Sequence, residues 1–584
     1  MSQGRERYER ERARIEQGHP KYREKLRAEG KLFVRDRLKL LLDPGSEFQE
    51  DWLFARSEDP DTPADGVVTG VGRVGGRTVC VMANDYTVKA GSWGEKTVQK
   101  IIRIQERAAR LQVPLLYLVD AAGGRISEQI RVFPGRFHAG RICYNEVQLS
   151  GVVPQVCSLV GPSTAGSWGE KTVQKIIRIQ ERAARLQVPL LYLVDAAGGR
   201  ISEQIRVFPG RFHAGRIFYN EVQLSGVVPQ VCILFGPSPA GSAYLPALTD
   251  VVIMVDGKAS LYVGSPRMVE MAIGEKTTQE ELGGARLHCT VSGCGDILAA
   301  SDEEAIELAR RYLGYMPQNY RERPAAAAPV EPRPGRDIDE IVPYDQRKYF
   351  DMYEVIDRLV DAGSWFEIKR LFAPEVITGL ARLGGRPVGI VANQPKVRGG
   401  VLFVDSSDKA ARFIWLCNAF NIPLVYLADI AGFMVGTKVE RAGIIRHGAK
   451  MIFATAQATV PKICVVVRKC YGAGLYAMCG PAFEPDAALS LPQGQVAIMG
   501  PEPAVNAVYY NRIMELPEAE RAAFVRQKRE EYARDVDIYK LASEMLIDDI
   551  VPGSALRNEL IKRLAYAESK QQEFAPRRNG VFPV

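Results

Sequence analysis

The chain has 584 residues, 46% of them hydrophobic and 25% charged, a composition typical of a soluble globular protein with more than one domain. Its net charge of +7 is too small to indicate nucleic-acid binding, and no apolar run reaches the roughly 18–20 residues of a membrane helix. The charged N-terminus lacks the apolar core of a signal peptide, and the ten scattered cysteines fit a reducing cytoplasm.

The predicted elements begin with a charged helical stretch in residues 1–45, which ends at the helix stop LKLLLDPGS. Two strands follow, GVVTGVGRV and RTVCVMAND, separated by a Gly-Gly turn. The spacing of apolar residues predicts a helix for TVQKIIRIQERAARL, and the continuous apolar run PLLYLVD is typical of a strand buried on both faces. This alternation predicts an α/β fold with mostly parallel sheets.

A near-exact tandem duplication follows the first strands. Residues 91–165, the first copy, recur as residues 166–240, the second copy. The four mismatches are Cys143/Phe218, Ser158/Ile233, Val160/Phe235 and Thr164/Pro239. We expect the copies to compete for one core site, with the loser stacked as an extra layer or left outside. The bulkier phenylalanines favour the second copy as the better core filler, and a crossover between the copies stays open.

A looser repeat relates the two halves of the chain. PLLYLVDAAGG (189–199) is answered by PLVYLADIAGF (423–433), and PQVCILFGPSPAGSAY (229–244) by PKICVVVRKCYGAGLY (461–476). Between the halves lies the Pro-rich PAAAAPVEPRPGRD, which has no apolar period. The sequence therefore predicts a domain at 1–323, a linker at 324–337 and a second domain at 338–584.

The candidate chemistry lies in two glycine-rich turns, PAGSAYLPAL (239–248) and YGAGLYAM (471–478). Each is predicted to follow a buried strand and to open a helix, where free N–H groups favour a developing oxyanion. The alternative is a pair of tight turns that only allow close packing. No metal site is predicted, because the pair Cys289 and Cys294 has no second pair at metal spacing.

The chain resembles the carboxyltransferase (β) subunits of biotin-dependent acyl-CoA carboxylases, of the propionyl-, methylcrotonyl- and acetyl-CoA group. The matching stretches include GKLFVRDRLKLLLDPGS, EELGGARLHCTVSGCGD, GGVLFVDSSDKAARFI, RAGIIRHGAKMIFA and CYGAGLYAMCG. The resemblance implies two crotonase-like superhelical domains, the first for acyl-CoA and the second for carboxybiotin, with active sites between halves of partner subunits. Removing one 75-residue copy leaves 509 residues, an ordinary length for this family.

The resemblance also implies the site residues. The acyl thioester carbonyl would face the backbone N–H groups of Gly241 and Ser242, and the biotin ureido oxygen those of Ala473 and Gly474. The further residues implied to bind biotin are Gly432, Phe433, Gly472 and Tyr476. Tyr476 stands where propionyl-type members often carry Asp, which leaves the acyl group open.

The implied reaction moves a carboxyl group from carboxybiotin to the α carbon, or a vinylogous γ carbon, of a short acyl-CoA. After release of carbon dioxide the biotin nitrogen would take the α-proton, so the protein would supply placement and oxyanion stabilisation. The implied partners are a biotin carboxylase subunit and a biotin carboxyl carrier protein, which bears the biotin. A homohexamer is implied as well.

Other interpretations stay open. One alternative is the carboxyltransferase subunit of a sodium-pumping acyl-CoA decarboxylase, which shares this architecture. Another is an inactive structural paralogue, against which the intact second glycine-rich turn argues. Ser242 as a Clp-type nucleophile would need His and Asp partners, and a crotonase-type hydratase would need carboxylates in the pocket. His213 and Phe208 are predicted to be packing residues, whereas Arg125 and Arg200 are either ligands of CoA phosphate or solvated charges.

Overall fold

The computed structural model describes residues 3–28, 31–119, 121, 125, 128, 142, 155–159, 167–572 and 581–583. The chain divides into two units, Met1–His288 with Leu298–Arg310, and Cys289–Ile297 with Arg311–Val584. Residues 311–323, assigned from the sequence to the first domain, thus pack with the second unit. The reason is visible at Tyr315, whose hydroxyl donates to the carbonyl of Ser364. Residues 324–337 are irregular and mostly exposed.

The described part of the first unit contains three sheets, namely a mixed five-stranded sheet, a four-stranded sheet and a two-stranded parallel sheet, with helices between the strands. Its strands are β1 (Gln49–Asp51), β2 (Val67–Val74), β3 (Arg77–Asn84), β4 (Leu115–Val119), β5 (Gln155–Leu159), β6 (Leu190–Val194), β7 (Gln230–Leu234), β8 (Pro237–Pro239), β9 (Val251–Val255), β10 (Ser260–Tyr262) and β11 (Ile297–Ala299). Its helices are α1 (Gln3–Gln17), α2 (Pro20–Ala28), α3 (Val34–Leu41), α4 (Glu95–Leu111), α5 (Glu170–Leu186), α6 (Gln204–Val207), α7 (Ala214–Leu224), α8 (Tyr244–Leu248), α9 (Pro266–Ile273), α10 (Gln279–Gly283), α11 (Ala285–Leu287) and α12 (Asp302–Leu313), the last of which ends in the second unit.

Both copies of the repeat form strands in the first unit. One sheet has the order β1-β2-β3-β4-β5 and ends with strands of the first copy, and another has the order β11-β9-β7-β6 and contains strands of the second. The expectation that one copy would lose its place is therefore wrong. The reason is that a parallel strand offers two edges, so the first copy extends the sheet of β3 while the second extends the sheet of β9. Cys143, Val160 and Thr164 lie outside the described residues.

The second unit is built on one eight-stranded sheet, in the order β12-β13-β14-β15-β16-β17-β19 with β18 paired to β16. Its strands are β12 (Phe366–Ile368), β13 (Val376–Leu383), β14 (Arg386–Asn393), β15 (Leu424–Ile430), β16 (Lys462–Tyr471), β17 (Ala487–Ser490), β18 (Gln495–Ala497) and β19 (Asp549–Ile550). Its helices are α13 (Ile338–Ile341), α14 (Met352–Leu359), α15 (Val404–Ala419), α16 (Thr437–Arg441), α17 (Ile444–Gln457), α18 (Ala473–Ala477), α19 (Pro501–Val508), α20 (Tyr510–Glu515), α21 (Glu518–Asp535), α22 (Ile538–Ser543) and α23 (Gly553–Tyr566).

The looser repeat between the halves is confirmed by matching contacts. The antiparallel hairpins β2–β3 and β13–β14 have the same length and the same full register. The Gly-Gly turn of each hairpin donates two backbone N–H groups to one carboxylate, Asp43 in the first unit and Asp361 in the second. A buried lysine of the following helix donates to the loop before each hairpin: Lys100 to Ala64 at 3.2 Å and Lys409 to Phe372 at 2.8 Å. Within the described residues, no helix is long and apolar enough to cross a membrane.

Candidate active site

The first glycine-rich turn follows the short strand β8, and its one-turn 3-10 helix over Ala240–Ala243 leads into the short α8. Ala240 has a positive φ of 54°, which is uncommon for a residue with a Cβ. Gly241 is exposed, and a Cβ built on it would meet nothing within 4 Å, so a ligand has free access to this backbone. The i→i+3 pattern of the turn assigns the Ser242 N–H to the Pro239 carbonyl, whereas the Gly241 N–H has no acceptor within the turn.

Gly198 brings the end of β6 next to this turn. It has a φ of 82°, and a Cβ built on it would lie 3.6 Å from Cγ of Pro239. The Ser242 hydroxyl donates to the Pro239 carbonyl at 2.6 Å, and the Ser238 hydroxyl donates to the Ser242 carbonyl at 2.9 Å. The hydroxyl hydrogen of Ser242 is thus directed at the main chain rather than at a general base, which disfavours the Clp-type nucleophile.

The second turn lies at the end of β16 and opens α18. Gly472 has φ 54° and ψ −145°, a conformation essentially restricted to glycine, and its N–H donates to the Ala497 carbonyl at 2.9 Å. Ala473 and Gly474 are the first two residues of α18, so their N–H groups have no acceptor within the helix. A Cβ on Gly474 would stand 3.2 Å from the Cα of Gly432, so any larger residue at position 474 would push the main chain at Gly432 away. The structure therefore brings Gly432, Gly472, Ala473 and Gly474 together.

Phe433 and Tyr476 flank the second turn in different ways. The backbone around Phe433 is held by Leu402, which donates to the Gly432 carbonyl at 3.2 Å and accepts from the Met434 N–H at 2.8 Å. The Phe433 ring lies against Gly448 of α17, where a Cβ would approach its Cε1 to 2.8 Å. Tyr476 is 45% exposed, and its ring stacks on Phe483 at 5.6 Å and 24°.

A buried ion pair supports the second turn, and sequence reasoning missed it. Asp429 ends β15 and Arg468 lies in β16, both almost fully buried, with Nη2 of the arginine 2.8 Å from Oδ2 of the carboxylate. The Asp429 N–H donates to Oδ1 of Asn393 at 3.2 Å, so the ends of β14, β15 and β16 are tied together. The signal was available as charged residues in otherwise apolar strands, although their proximity is set only by strand order. At the matching place in the first unit, Asp195 faces Gly236 instead of an arginine.

The other residues considered from the sequence lie away from the turns or have structural partners. Arg125 forms an ion pair with Asp65, and Arg200 forms one with Glu203 at 3.0 Å, so each guanidinium has a carboxylate partner within the chain. His213 Nδ1 accepts from the Gly210 N–H at 2.8 Å. Phe208 was predicted to be a packing residue rather than a site residue, but its side chain is 77% exposed in this chain.

Phe208 is one of several large apolar residues that are exposed in this part of the chain. The others are Ile201, Ile205, Phe212, Tyr219, Val222 and Tyr244.

The described part of the chain offers mostly buried thiols and no metal-binding cluster. Eight cysteines are described there as free thiols, seven of them buried, and burial raises the pKa of Cys80 to about 11. Cys289 is buried while Cys294 is exposed. No group of three metal-ligating side chains occurs among the described residues.

The chain is similar in sequence to carboxyl transferases over almost its whole length. The model of the carboxyl transferase domain matches residues 25–167 and 164–582, and the chain therefore belongs to the carboxyl transferase family. The uncharacterized carboxylase YngE of Bacillus subtilis (strain 168) is 54% identical over 97% of this chain and 96% of its own length. A biotin-dependent acetyl-/propionyl-coenzyme A carboxylase beta5 subunit of Mycobacterium tuberculosis is 34% identical over 96% of this chain and 91% of its own length. The alpha subunit of methylmalonyl-CoA decarboxylase of Veillonella parvula is 33% identical over 97% and 96%.

A solved structure of the same kind agrees with the fold. The crystal structure of transcarboxylase 12S, described as a hexamer assembly and solved with hydrolyzed methylmalonyl-coenzyme A bound, matches with a TM-score of 0.66 and 33% identity. The match covers 99% of this chain and 98% of the transcarboxylase chain. The α/β fold of this chain is accordingly that of the crotonase-like carboxyltransferases.

Proposed function

We propose that this chain is the carboxyltransferase subunit of a biotin-dependent acyl-CoA carboxylase. The observation that carries the proposal is the pair of matching glycine-rich turns, one in each half of a carboxyl transferase chain. Both turns begin with a residue at φ 54°, Ala240 in the first and Gly472 in the second. Each places backbone N–H groups without a helical acceptor beside a second glycine, Gly198 or Gly432. Such preorganised donors stabilise the charge that develops on an enolate or ureido oxygen.

The first turn is assigned to the acyl-CoA. Gly241 would donate its N–H to the thioester carbonyl as negative charge develops on that oxygen. Open space beyond Gly241 fits this role, because a substrate reaches the amide without displacing a side chain. Ser242 would act mainly by holding the turn, since its hydroxyl is bonded to Pro239. The residues of this half therefore bind and polarise the substrate without a side-chain acid or base.

The second turn is assigned to biotin, carried on a partner protein. The residues fit the group, because Gly474 and Gly432 approach each other closely and leave a narrow cradle lined by main chain. When bound, biotin supplies the carboxyl group and a basic nitrogen. Ala473 and Gly474 would donate their N–H groups to its ureido oxygen, and Phe433 and Tyr476 would orient its ring system. The acceptor of the carboxyl group would be a short acyl-CoA.

The partners belong to the same proposal. A biotin carboxylase subunit and a biotin carboxyl carrier protein would complete the reaction, and a homohexamer of this chain would be the working form in the cytoplasm. The crystal structure of transcarboxylase 12S, described as a hexamer, supports the assembly. The buried free thiols support a reducing compartment.

Two valine variants and one control test the assignment. Gly241→Val should lower acyl-CoA turnover, because the added side chain fills the open space through which the thioester carbonyl would reach this backbone N–H. Gly474→Val should impair decarboxylation of free carboxybiotin, which needs no acyl-CoA. The matched control is Gly241→Ala, whose added Cβ meets nothing within 4 Å and should leave folding unchanged. Loss of acyl-CoA binding alone in both valine variants would contradict the assignment of two different turns.

A decarboxylase subunit is the second candidate, and the relative from Veillonella parvula favours it. The two candidates share the glycine-rich turns and differ in their partners. Purification of the tagged chain from its own cells separates them, because the decarboxylase would bring down a membrane subunit and the carboxylase a soluble biotin carboxylase. A purified chain that is hexameric but inactive with both sets of partners would indicate a structural paralogue.

A further inference from the structure

The helices α4 and α5 carry the same 17 residues, EKTVQKIIRIQERAARL, yet bury different faces. In α4, Thr97, Lys100 and Ile104 are all buried. Their counterparts in α5 are partly or fully exposed, Lys175 most of all. Because residues three and four positions apart share one helix face, one stripe is covered in the first copy and uncovered in the second.

The loop before β2 covers the stripe of α4. Asp65 of this loop is fully buried, and its Oδ2 accepts from the Thr97 N–H at 2.6 Å. Lys100 donates to the Ala64 carbonyl at 3.2 Å, and Arg125 forms an ion pair with Asp65. The hairpin β2–β3 is thus attached to the first copy by specific polar contacts as well as by apolar packing.

The second copy contains every residue that makes these contacts. Thr172, Lys175 and Arg200 stand at the positions of the threonine, lysine and arginine that hold the loop. Arg200 pairs with Glu203 at 3.0 Å, and its Nε donates to the Ser167 hydroxyl at 3.0 Å. Arg125 makes the same two contacts with Glu128 and Ser92, and pairs with Asp65 in addition. The surface of α5 is therefore a second copy of a docking surface whose occupant is known.

The strands repeat the same relation. β4 and β6 are both LLYLV, and β4 has β3 on one edge with Cys80 opposite Leu115. β6 is the terminal strand of its sheet, so the edge that corresponds to the β3 edge of β4 has no strand of that sheet beside it. Cα atoms of β5 lie within 8 Å of β6, although the two strands belong to different sheets. The uncovered helix face and the terminal strand edge belong to one supersecondary unit.

We propose that the hairpin β2–β3 has a second docking site on α5 and β6 and exchanges between the two copies. In the exchanged state Cys80 would lie opposite Leu190, and β4 would leave the sheet. The strand order would become β1-β2-β3-β6-β7-β9-β11, which matches β12-β13-β14-β15-β16-β17-β19 of the second unit. The family match also restarts at residue 164, close to the first residue of the second copy.

The occupant is the chain's own hairpin rather than that of a second molecule. The hairpin is tethered to both docking sites, so each site sees it at a high effective concentration. The residues that contact the hairpin are identical in the two states. The ratio of the two populations is therefore set by the free energy that the first copy gains from packing in the sheet of β3. The proposal concerns the first unit alone and does not depend on the proposed function.

A cycle of two substitutions tests the exchange through thermal unfolding. Lys100→Asp places a carboxylate against Asp65 in the observed state, and Lys175→Asp does the same only in the exchanged state. We expect Lys175→Asp to be silent alone but to lower the Tm by roughly 5–10 °C in the Lys100→Asp background, given ~2–4 °C per kcal/mol for a unit of this size. Equal unfolding of Lys100→Asp and the double variant would overturn the proposal.

A cysteine trap in the otherwise unchanged chain covers the case in which Lys100→Asp fails to fold. Adjacent strands are ~4.8 Å apart, within disulfide range, so the thiol introduced by Leu190→Cys should form a disulfide with Cys80 in the exchanged state. Leu115→Cys is the matched control for the observed state, because Leu115 lies opposite Cys80 in the register.

The trap is read by peptide mapping after mild oxidation with diamide. An intramolecular disulfide between Cys80 and the thiol introduced at position 190 supports the exchange. The proposal is overturned if that disulfide is absent while the Leu115→Cys variant forms its own bond to Cys80. It is also overturned if the bond from position 190 to Cys80 is found only in dimers.

Discussion

Excision of either copy provides a matched pair of 509-residue chains. Deleting 91–165 joins Ala90 to Gly166 and keeps the second copy, whereas deleting 166–240 keeps the first. Both seams read Ala-Gly-Ser, and the two products differ only at the four mismatched positions. We expect both to fold more cooperatively than the full chain, with carboxyltransferase activity equal or higher, because one hairpin then has one docking site.

The magnitude of the difference between the two products rests mainly on Ile233. It lies in β7, where all five residues are buried, and its own exposed fraction is 0%. The first copy has Ser158 at this position, so the shorter chain that keeps it loses ~2–5 kcal/mol for the missing apolar side chain and another ~1–3 kcal/mol for a buried hydroxyl. Phe218 packs edge-on against Tyr244 at 6.4 Å, and this contact should further stabilise the short chain that keeps the second copy.

The assay is calorimetry of the three chains side by side with specific activity on an acyl-CoA panel. A difference of about 4 kcal/mol corresponds to a Tm higher by roughly 8–16 °C for the chain that keeps the second copy. Ile233→Ser in that chain should lower its Tm and remove most of the difference between the two short chains. Equal Tm values for the two short chains would refute the assignment of Ile233 to the core. If neither short chain folds while the full chain is stable and active, the repeat is a working part of the structure.

Three further predictions follow from single contacts. Burial raises the pKa of Glu221 to about 9. The folded chain therefore loses stability as the pH rises from 4.5 to 9, because the unfolded chain releases this proton while the folded chain keeps it. Glu221→Gln should stabilise the chain by ~2–4 kcal/mol at pH 8 and have little effect at pH 5. Gly448→Ala should displace the Phe433 ring and impair decarboxylation of free carboxybiotin more than thermal stability. Arg468→Met should cost ~3–5 kcal/mol by leaving Asp429 buried without its ion pair, and much of that loss should return in the double variant with Asp429→Leu, measured by urea unfolding.

Each of these has its own control. Gly215→Ala, in α7, adds a Cβ that meets nothing within 4 Å and should leave both activity and the second turn unchanged. A Glu221→Gln effect that is the same at pH 5 and pH 8 would show that the carboxyl is not protonated on folding. If the double variant at Asp429 and Arg468 is no more stable than Arg468→Met, desolvation of the unpaired charge is not the main cost.

Local periodicity was sufficient for most elements. The helix predicted from TVQKIIRIQERAARL forms in both copies, and the strands on either side of the first Gly-Gly turn are β2 and β3. Each of the two turns also follows a strand and opens a helix, as predicted, although the first comes after the short additional strand β8 rather than directly after β7. Local sequence sets these features because propensity and apolar spacing agree at each of them.

Features that depend on contacts between distant residues could not be predicted from local sequence patterns. The pairing of Asp429 with Arg468 depends on which strands become neighbours. The exposure of Phe208 depends on what covers a helix, and an apolar residue alone does not encode that. The place of each copy was unpredictable in a stricter sense, because two nearly identical segments carry no local information about which environment each will occupy.

The two environments of one helix sequence make this chain its own internal control. A substitution at Lys100 acts in a fully buried setting, whereas the same substitution at Lys175 acts in solvent. The fitness cost of drift should therefore differ between the copies even though they started alike. Over time, the stripe of α5 is free to accumulate replacements while the stripe of α4 stays under purifying selection. Divergence of the copies is expected to begin on that face, at positions 172, 175 and 179.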